Sequence, residues 1–311
     1  MDYLVTGGAG FIGSNIAEYL VGQGKSVRVF DNFSSGKREN VRPFADKAEI
    51  IEGDLRDPQS IQRALTGVRF VLHLGAIPSV TRSVEDPRTT SEANIVGTVN
   101  LLLAARDAGV KRVVFSSSSS VYGDAPTLPK REEMTPSPLS PYAVHKITGE
   151  YYCRVFWQLY GLETVSLRYF NVFGPRQDPQ SQYAAVIPRF ITAIMRDQWP
   201  VIFGNGKQTR DFSHIENIID ANIAACAAPK EALGESFNIA CGGRISLLDL
   251  VDTVNQALGK KIKPRFDPPR PGDILHSQAD ISKAEKRLGW KPRVNFPEGI
   301  AKTIAWYQRQ G

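Results

Sequence analysis

Tyr142 and Lys146 lie four positions apart in Pro141-Tyr142-Ala143-Val144-His145-Lys146. On a helix, residues at that spacing share one face. A phenol ordinarily loses its proton near ~10. A neighbouring ammonium favours the phenolate and lowers that value. A tyrosine tuned in this way exchanges a proton with a sugar or alcohol hydroxyl near neutral pH. Upstream, the apolar run Val113-Val114-Phe115 leads into five consecutive serines, Ser116 to Ser120. Hydroxyls at the end of a parallel strand stand where ligands bind in open α/β sheets. Y-x-x-x-K alone recurs by chance on helix surfaces, so its weight depends on the elements around it.

The first of those elements opens the chain. In Leu4-Val5-Thr6-Gly7-Gly8-Ala9-Gly10-Phe11-Ile12-Gly13, the three glycines Gly7, Gly10 and Gly13 lie between an apolar strand and a helix-forming run. Strand, glycine turn and helix together present backbone N–H groups and a positive helix end to a pyrophosphate. A second apolar strand, residues 26–30, ends in Asp31, 24 positions after Gly7. That is near the roughly 20-residue offset of the carboxylate that holds an adenosine ribose. An acid there repels a 2′-phosphate, which favours NAD over NADP. After a third strand, residues 48–52, Asp54 either reaches the adenine or starts a helix. His73, on a strand over 69–74, reads as a packed histidine rather than a catalyst.

Strands and helices alternate through the first half, which predicts a doubly wound, Rossmann-type parallel sheet with helices on both faces. A long helix is expected over 89–108, with Asn94 inside it, and another begins at Pro141. Beyond a strand over 161–167 the pattern is more broken, with helices expected over 185–196, 215–228, 247–258 and 281–288. The division expected is an NAD-binding domain, residues 1–170, with some later segments returning to it, and a smaller mixed lobe, residues 171–311, holding the substrate.

Composition excludes several classes. No run of the 311 residues is long enough to span a membrane. No signal-type N-terminus precedes the first strand, so a cytoplasmic protein is expected. Cys153, Cys226 and Cys241 match neither a disulfide framework nor a metal-binding spacing, so no metal is expected. The net charge of +6 is spread among acids without a basic run, which argues against nucleic acid. A few cations gathered around an anionic substrate account for it equally well.

Taken together, TGGAGFIGS, DNFSSG, GDLRD, FSSSSSVYG, PYAVHK, RYFNVFGPRQDP, residues 206–217, and RPGD followed by ADISKAEKRLGW resemble the extended short-chain dehydrogenases. Within them the chain is similar to the UDP-sugar 4-epimerases. The resemblance implies that Gly7, Gly10 and Gly13 hold the NAD pyrophosphate, Asp31 the ribose, and Asp54 and Leu55 the adenine. It implies further cofactor contacts from Phe11, Ile12, Asn32, Ser35, Gly36, Leu74, Ala76, Asn94 and Tyr169. Tyr142 is the implied acid/base, Lys146 its electrostatic partner and ribose ligand, and Ser118 the partner of the sugar 4-hydroxyl. Ser79, Ser119 and Ser120 line the implied sugar site, with Ala185 and Val186 nearby. Asn171, Arg210 and Arg270 match diphosphate positions, and Asp273 a uridine-ribose contact. The implied reaction oxidises C4 to a ketone, turns the sugar about its diphosphate and reduces the opposite face.

Two positions individualise the chain. Ser277 stands where the family walls the pocket beside the sugar 2-substituent; a small residue leaves room for an acetamido group. This resembles the subgroup acting on UDP-N-acetylglucosamine and UDP-N-acetylgalactosamine, with UDP-glucose and UDP-galactose also admitted. Pro78 replaces a lysine that some relatives place near the cofactor. A uronic-acid 4-epimerase needs only an extra arginine near the sugar. A 4,6-dehydratase needs an acid beside Ser118, where the chain has Ser119. The resemblance also implies a homodimer through a four-helix bundle.

Overall fold

The computed structural model describes residues 1–179, 185–269 and 275–310. The first half lays down six parallel strands: β1 (Tyr3–Thr6), β2 (Val27–Asp31), β3 (Glu49–Glu52), β4 (Phe70–His73), β5 (Arg112–Ser118) and β6 (Glu163–Tyr169). Short strands β7 (Val172–Phe173), β8 (Val201–Phe203), β9 (Thr209–Arg210) and β10 (Ser213–His214) follow. The chain then returns to the main sheet with β11 (Ser236–Ile239), before β12 (Ile245–Ser246) and β13 (Arg265–Asp267). The seven-stranded order is β11-β6-β5-β4-β1-β2-β3. The order reverses at β1, which pairs with β2 on one side and β4 on the other. The crevice beyond the carboxyl ends of β1 and β4 is thus the topological switch point, where α/β sheets bind ligands.

Leu4, Val5, Val71, Leu72, Val113, Val114, Val165 and Leu167 are all buried, as a sheet covered on both faces requires. One face packs against α1 (Phe11–Gly22), reached early in the chain. The short α2 (Arg38–Val41) follows β2. The opposite face is covered by α3 (Pro58–Leu65), through Ile61, Ala64 and Leu65. Asp57 caps α3 by accepting from Gln59 N, and Pro58 takes the first helical position, whose N–H has no partner anyway. After β4 come α4 (Val80–Glu85) and α5 (Pro87–Ser91).

The helix expected over 89–108 proves composite. α5 runs into one π turn, Glu92–Val96, and then α6 (Gly97–Asp107). The wider turn carries Asn94 inward, where its amide brackets the Ile77 backbone: Oδ1 accepts from Ile77 N (2.7 Å) and Nδ2 donates to Ile77 O (3.1 Å). The long α7 (Pro141–Tyr160) is capped by Ser140, which accepts from Ala143 N, and ended by Gly161 at φ 68°.

The remaining helices are α8 (Val186–Met195), α9 (Ile215–Cys226), α10 (Leu247–Leu258), α11 (Ser282–Leu288) and α12 (Phe296–Gln308). α9 packs beside α1 on the main sheet. α8, α10 and α12 bury a separate core around Phe190, Ile194, Val251, Val254 and Ile304. No helix of the described residues is long and apolar enough to cross a membrane.

Candidate active site

A cavity of about 510 Å³ opens along the carboxyl ends of β1, β2, β4 and β5. At one end lies the glycine turn. Gly7 holds φ 65°, and a Cβ on it would stand 2.8 Å from the Gly75 backbone. A Cβ on Gly13 would run into the Gly7 carbonyl and lie 2.8 Å from Gly8 Cα. Only glycine lets this loop fold so tightly and bring its backbone to the cavity. Gly10 precedes α1 without a capping side chain, and no acid occupies the first turn. The positive helix end is therefore left to a ligand. Gly7, Gly10, Phe11, Ile12 and Gly13 all line the cavity.

Asp31 closes the next stretch of wall. Its carboxylate accepts from Ala9 N and Phe33 N, each at 2.9 Å. Burial raises its pKa, against those two N–H bonds. Gly36 lies over the same carboxylate; a Cβ there would be 2.9 Å from both Asp31 oxygens. Asp54, by contrast, is held well below the usual carboxylate range, chiefly by its hydrogen bonds from Arg56. Asn32 Nδ2 also donates to it, at 2.9 Å. Asn32, Ser35 and Leu55 complete this end. A cradle too tight for side chains, a helix start and a buried carboxylate at the next strand end fit a dinucleotide such as NAD.

At the far end stand β5 and α7. β5 runs through the first three serines and ends at Ser118, whose Oγ accepts from Ser120 N (3.1 Å) and which shares the cavity wall with Tyr142, near enough to favour its phenolate. Lys146 donates from Nζ to Ser116 O at 2.7 Å. Its ammonium lies 5.1 Å from the centre of the Phe115 ring and 5.7 Å from that of Tyr142. This approach depends on Gly149, where a Cβ would come within 2.7 Å of Phe115 Cε1. Tyr142 N donates to Ser83 Oγ (3.0 Å), so α4 also fixes the start of α7.

The expectation that Lys146 lowers the Tyr142 pKa is corrected here. Burial pushes the phenol up to about 12, with only Ser118 acting the other way. Burial also pushes Lys146 down to about 8, partly offset by Glu150. The ammonium is turned to a backbone carbonyl, and desolvation outweighs its field at the phenol. With these surroundings the Tyr142 phenol keeps its proton at neutral pH.

His73 is buried between Thr6 Oγ1 (2.7 Å) and Thr98 Oγ1 (3.0 Å), and burial pushes it down to about 3. It is a packed, neutral residue, as its sequence context suggested.

Leu74, Ala76, Ser119, Tyr169 and Asn171 also line the cavity. The Tyr169 hydroxyl meets the Asn222 amide at 2.8 Å, and Asn171 donates to Asp211 O at 3.1 Å. Asn94 and Gly36 act one layer behind the wall, on Ile77 and Asp31. Ser79 caps α4, accepting from Arg82 N (3.0 Å). Ser120 has a buried hydroxyl without a hydrogen-bond partner among the described residues. Ala185 and Val186 begin α8, away from the cavity wall. Arg210 leans on the Thr209 and Leu275 carbonyls, and Ser277 N donates to Thr209 O (3.0 Å). Neither lines the cavity. Arg270 and Asp273 lie outside the described residues. Wall residues that the sequence reading missed include Arg56, Arg82, Thr89, Ala93 and Gln177. Arg82 was foreseeable only from the short helix α4, which carries no strong apolar period.

A family model described as the NAD dependent epimerase/dehydratase family matches residues 3–240. A UDP-glucose 4-epimerase of Mycolicibacterium smegmatis is 40% identical over 319 residues, covering 100% of this chain and 99% of that protein. Among solved structures, a UDP-N-acetylglucosamine 4-epimerase from Methanobrevibacter ruminantium, in complex with UDP-N-acetylmuramic acid, superposes with TM-score 0.94 at 40% identity. The match covers 100% of this chain and 99% of that one. The Thermus thermophilus UDP-glucose 4-epimerase in complex with NAD gives TM-score 0.87 at 37% identity, with 99% of each chain covered.

Proposed function

The chain belongs to the NAD-dependent epimerase/dehydratase family, with NAD as its cofactor, and we propose that it is a UDP-hexose 4-epimerase. In this reading it interconverts UDP-N-acetylglucosamine with UDP-N-acetylgalactosamine, and UDP-glucose with UDP-galactose, through a 4-keto sugar. The observation that carries the reading is the convergence of Ser118, Tyr142 and Lys146 at one end of a cavity whose other end is the glycine cradle and Asp31.

In this assignment Gly7, Gly10, Phe11, Ile12 and Gly13 hold the pyrophosphate, and Asp31 takes the adenosine ribose. NAD, when bound, would supply the hydride acceptor and donor for the sugar C4, with Lys146 and Tyr142 at that end of the cavity. Ser118 orients the 4-hydroxyl against Tyr142. Tyr142 receives that proton and later gives one back, and Lys146 stabilises the phenolate that accepting it requires. Because burial raises the phenol's pKa, this reading requires added positive charge before Tyr142 can act as a base.

The carboxylates among the described wall residues, Asp31 and Asp54, lie at the adenosine end. That supports epimerisation over 4,6-dehydration, which needs an acid near Ser118. Acceptance of acetamido sugars rests on the resemblance, in which the position of Ser277 walls the sugar 2-substituent, and not on the described cavity wall, which Ser277 does not line. One observation favours a second substrate, UDP-glucuronate: Arg82 on the cavity wall supplies a cation that a uronic carboxylate would pair with.

We further read the assembly as a homodimer. Val96 and Leu103 on the 92–107 stretch, and Val144, Tyr151, Tyr152, Val155 and Leu159 on α7, are exposed. Such a paired apolar face suits a four-helix bundle with a second copy. Three free thiols suit a cytoplasmic setting.

The test is product analysis with UDP-N-acetylglucosamine, UDP-glucose and UDP-glucuronate in turn, without added NAD. Conversion of the first two to their 4-epimers is expected. Exclusive turnover of UDP-glucose would remove the argument from Ser277. Exclusive turnover of UDP-glucuronate would install the second reading, and no turnover even with NAD supplied would overturn both.

A further inference from the structure

One helical turn beyond Lys146, α7 carries a buried carboxylate that the proposed reaction does not use. Glu150 is 5% exposed and Arg168, on β6, 4%. Arg168 donates from Nε to Glu150 Oε1 (2.9 Å) and from Nη2 to Oε2 (2.7 Å). Ser236 on β11 donates to Oε2 at 2.7 Å, and Ser117 on β5 donates to Oε1. The remaining Arg168 nitrogen, Nη1, donates to the Tyr122 hydroxyl (2.7 Å), which donates to Asn238 Oδ1 (2.7 Å). Three strands and α7 thus meet at one side chain.

A buried ion pair adds little net stability over well-packed apolar residues. What it does add is a fixed geometry, and the place it fixes matters. Ser117 lies between Ser116, whose carbonyl holds the Lys146 ammonium, and Ser118, which shares the cavity wall with Tyr142. We propose that Glu150, clamped by Arg168, is a positioning residue for the acid–base step: it locks the end of β5 to α7 and sets the field at Lys146. The proposal rests on the reading of Tyr142 as acid/base given above.

The charged and titratable groups around that ammonium are few. His73 faces it from β4 and is neutral; Tyr142, His145 and Glu150 belong to its own helix; Arg168 and Tyr169 come from β6. Of these, only Glu150 bears a negative charge, and it favours the ammonium.

Two variants, each purified with its bound NAD, test this. In Glu150→Gln the Arg168 cation is left unpaired near Lys146. The alkaline limb of the kcat/KM profile should move down by about one unit, as expected for a lost opposite charge at this range. kcat should fall at least about tenfold through misplacement, with KM within about threefold. The double variant Glu150→Leu with Arg168→Met buries no charge and so keeps the fold should the single variant lose it. Its limb should return to within about half a unit of wild type, since both charges are gone. Its kcat should stay at least about tenfold low, since Ser117 has lost its anchor. Wild-type kcat in a folded, NAD-bound variant would overturn the proposal, as would a Glu150→Gln limb that does not move or a loss confined to KM. Failure of the underlying reading looks different: Tyr142→Phe would then keep full turnover.

Discussion

Gly149→Ala separates the packing of α7 from its chemistry. The added methyl would come within 2.7 Å of Phe115 Cε1, against about 3.5–4.0 Å for an ordinary carbon–carbon contact. Phe115 is buried and cannot swing aside, and its Cζ lies closer still to the added methyl, so the helix must retreat by at least about 1 Å. Lys146 would then leave Ser116 O, now at 2.7 Å, for a separation at which the bond is lost. Overpacking costs about 1–3 kcal/mol, while alanine in place of a helical glycine returns about 1 kcal/mol. The net change is about 0–2 kcal/mol, or only a few degrees of melting temperature in a chain of this size. Turnover should suffer far more, by about 10²-fold, the scale of a 1 Å misplacement. The assay is epimerisation rate alongside thermal melting and bound-NAD content. Gly22→Ala serves as control, because a Cβ there meets nothing within 4 Å. Wild-type turnover in Gly149→Ala, at whatever melting temperature, would refute the reasoning.

Three other outcomes are expected. Lys146 must be an ammonium to steady the phenolate, and burial sets its pKa at about 8; kcat/KM should therefore fall as pH rises through that value, which a pH–rate profile reads directly. Asn94→Ala deletes both bonds to Ile77 and the contact with His145 Nδ1 (3.2 Å); denaturant unfolding should show a loss of about 1–3 kcal/mol, and calorimetry a weaker hold on NAD. From the family resemblance alone, Ser277→Tyr should depress turnover of UDP-N-acetylglucosamine by at least about tenfold relative to UDP-glucose, equivalent to a difference of about 1.4 kcal/mol, in a competition assay.

Much of the fold was legible because the first half obeys local rules. Asp57-Pro58 opened α3 where expected, and the glycine turn, α7 and the strand ends carrying Asp31 and Ser118 fell where their patterns put them. α10 matched residue for residue. Other features were missed. α12 was not foreseen, although its Asn295 cap and first-turn Pro297 are the same kind of start signal that opened α3. The π turn at Asn94 was hidden, since a single wider turn leaves the periodicity of a long helix nearly intact. At the active site, residue identities were readable but charge states were not. Burial decides the Tyr142 and Lys146 pKa values, and burial is a tertiary property. Arg82 and Gln177 reach the wall from segments whose placement no local pattern announces.

The position of β11 also bears on how the chain is made. Among the described residues, the outer edge of β6 is covered by β11, whose register pairs Ser236 with Ser166 and Ile239 with Tyr169. Arg112 on β5 likewise donates to the Ala225 and Cys226 carbonyls at the end of α9 (2.8 and 2.9 Å). On the ribosome, then, the nucleotide-binding half emerges with an open strand edge and a bare sheet face, and stays so until some seventy further residues have been synthesised. An open edge of this kind invites pairing with other chains. A fragment ending at residue 170 would carry the fingerprint and the acid–base residues yet present an aggregating edge, so the fold closes on itself only when the later segment comes home.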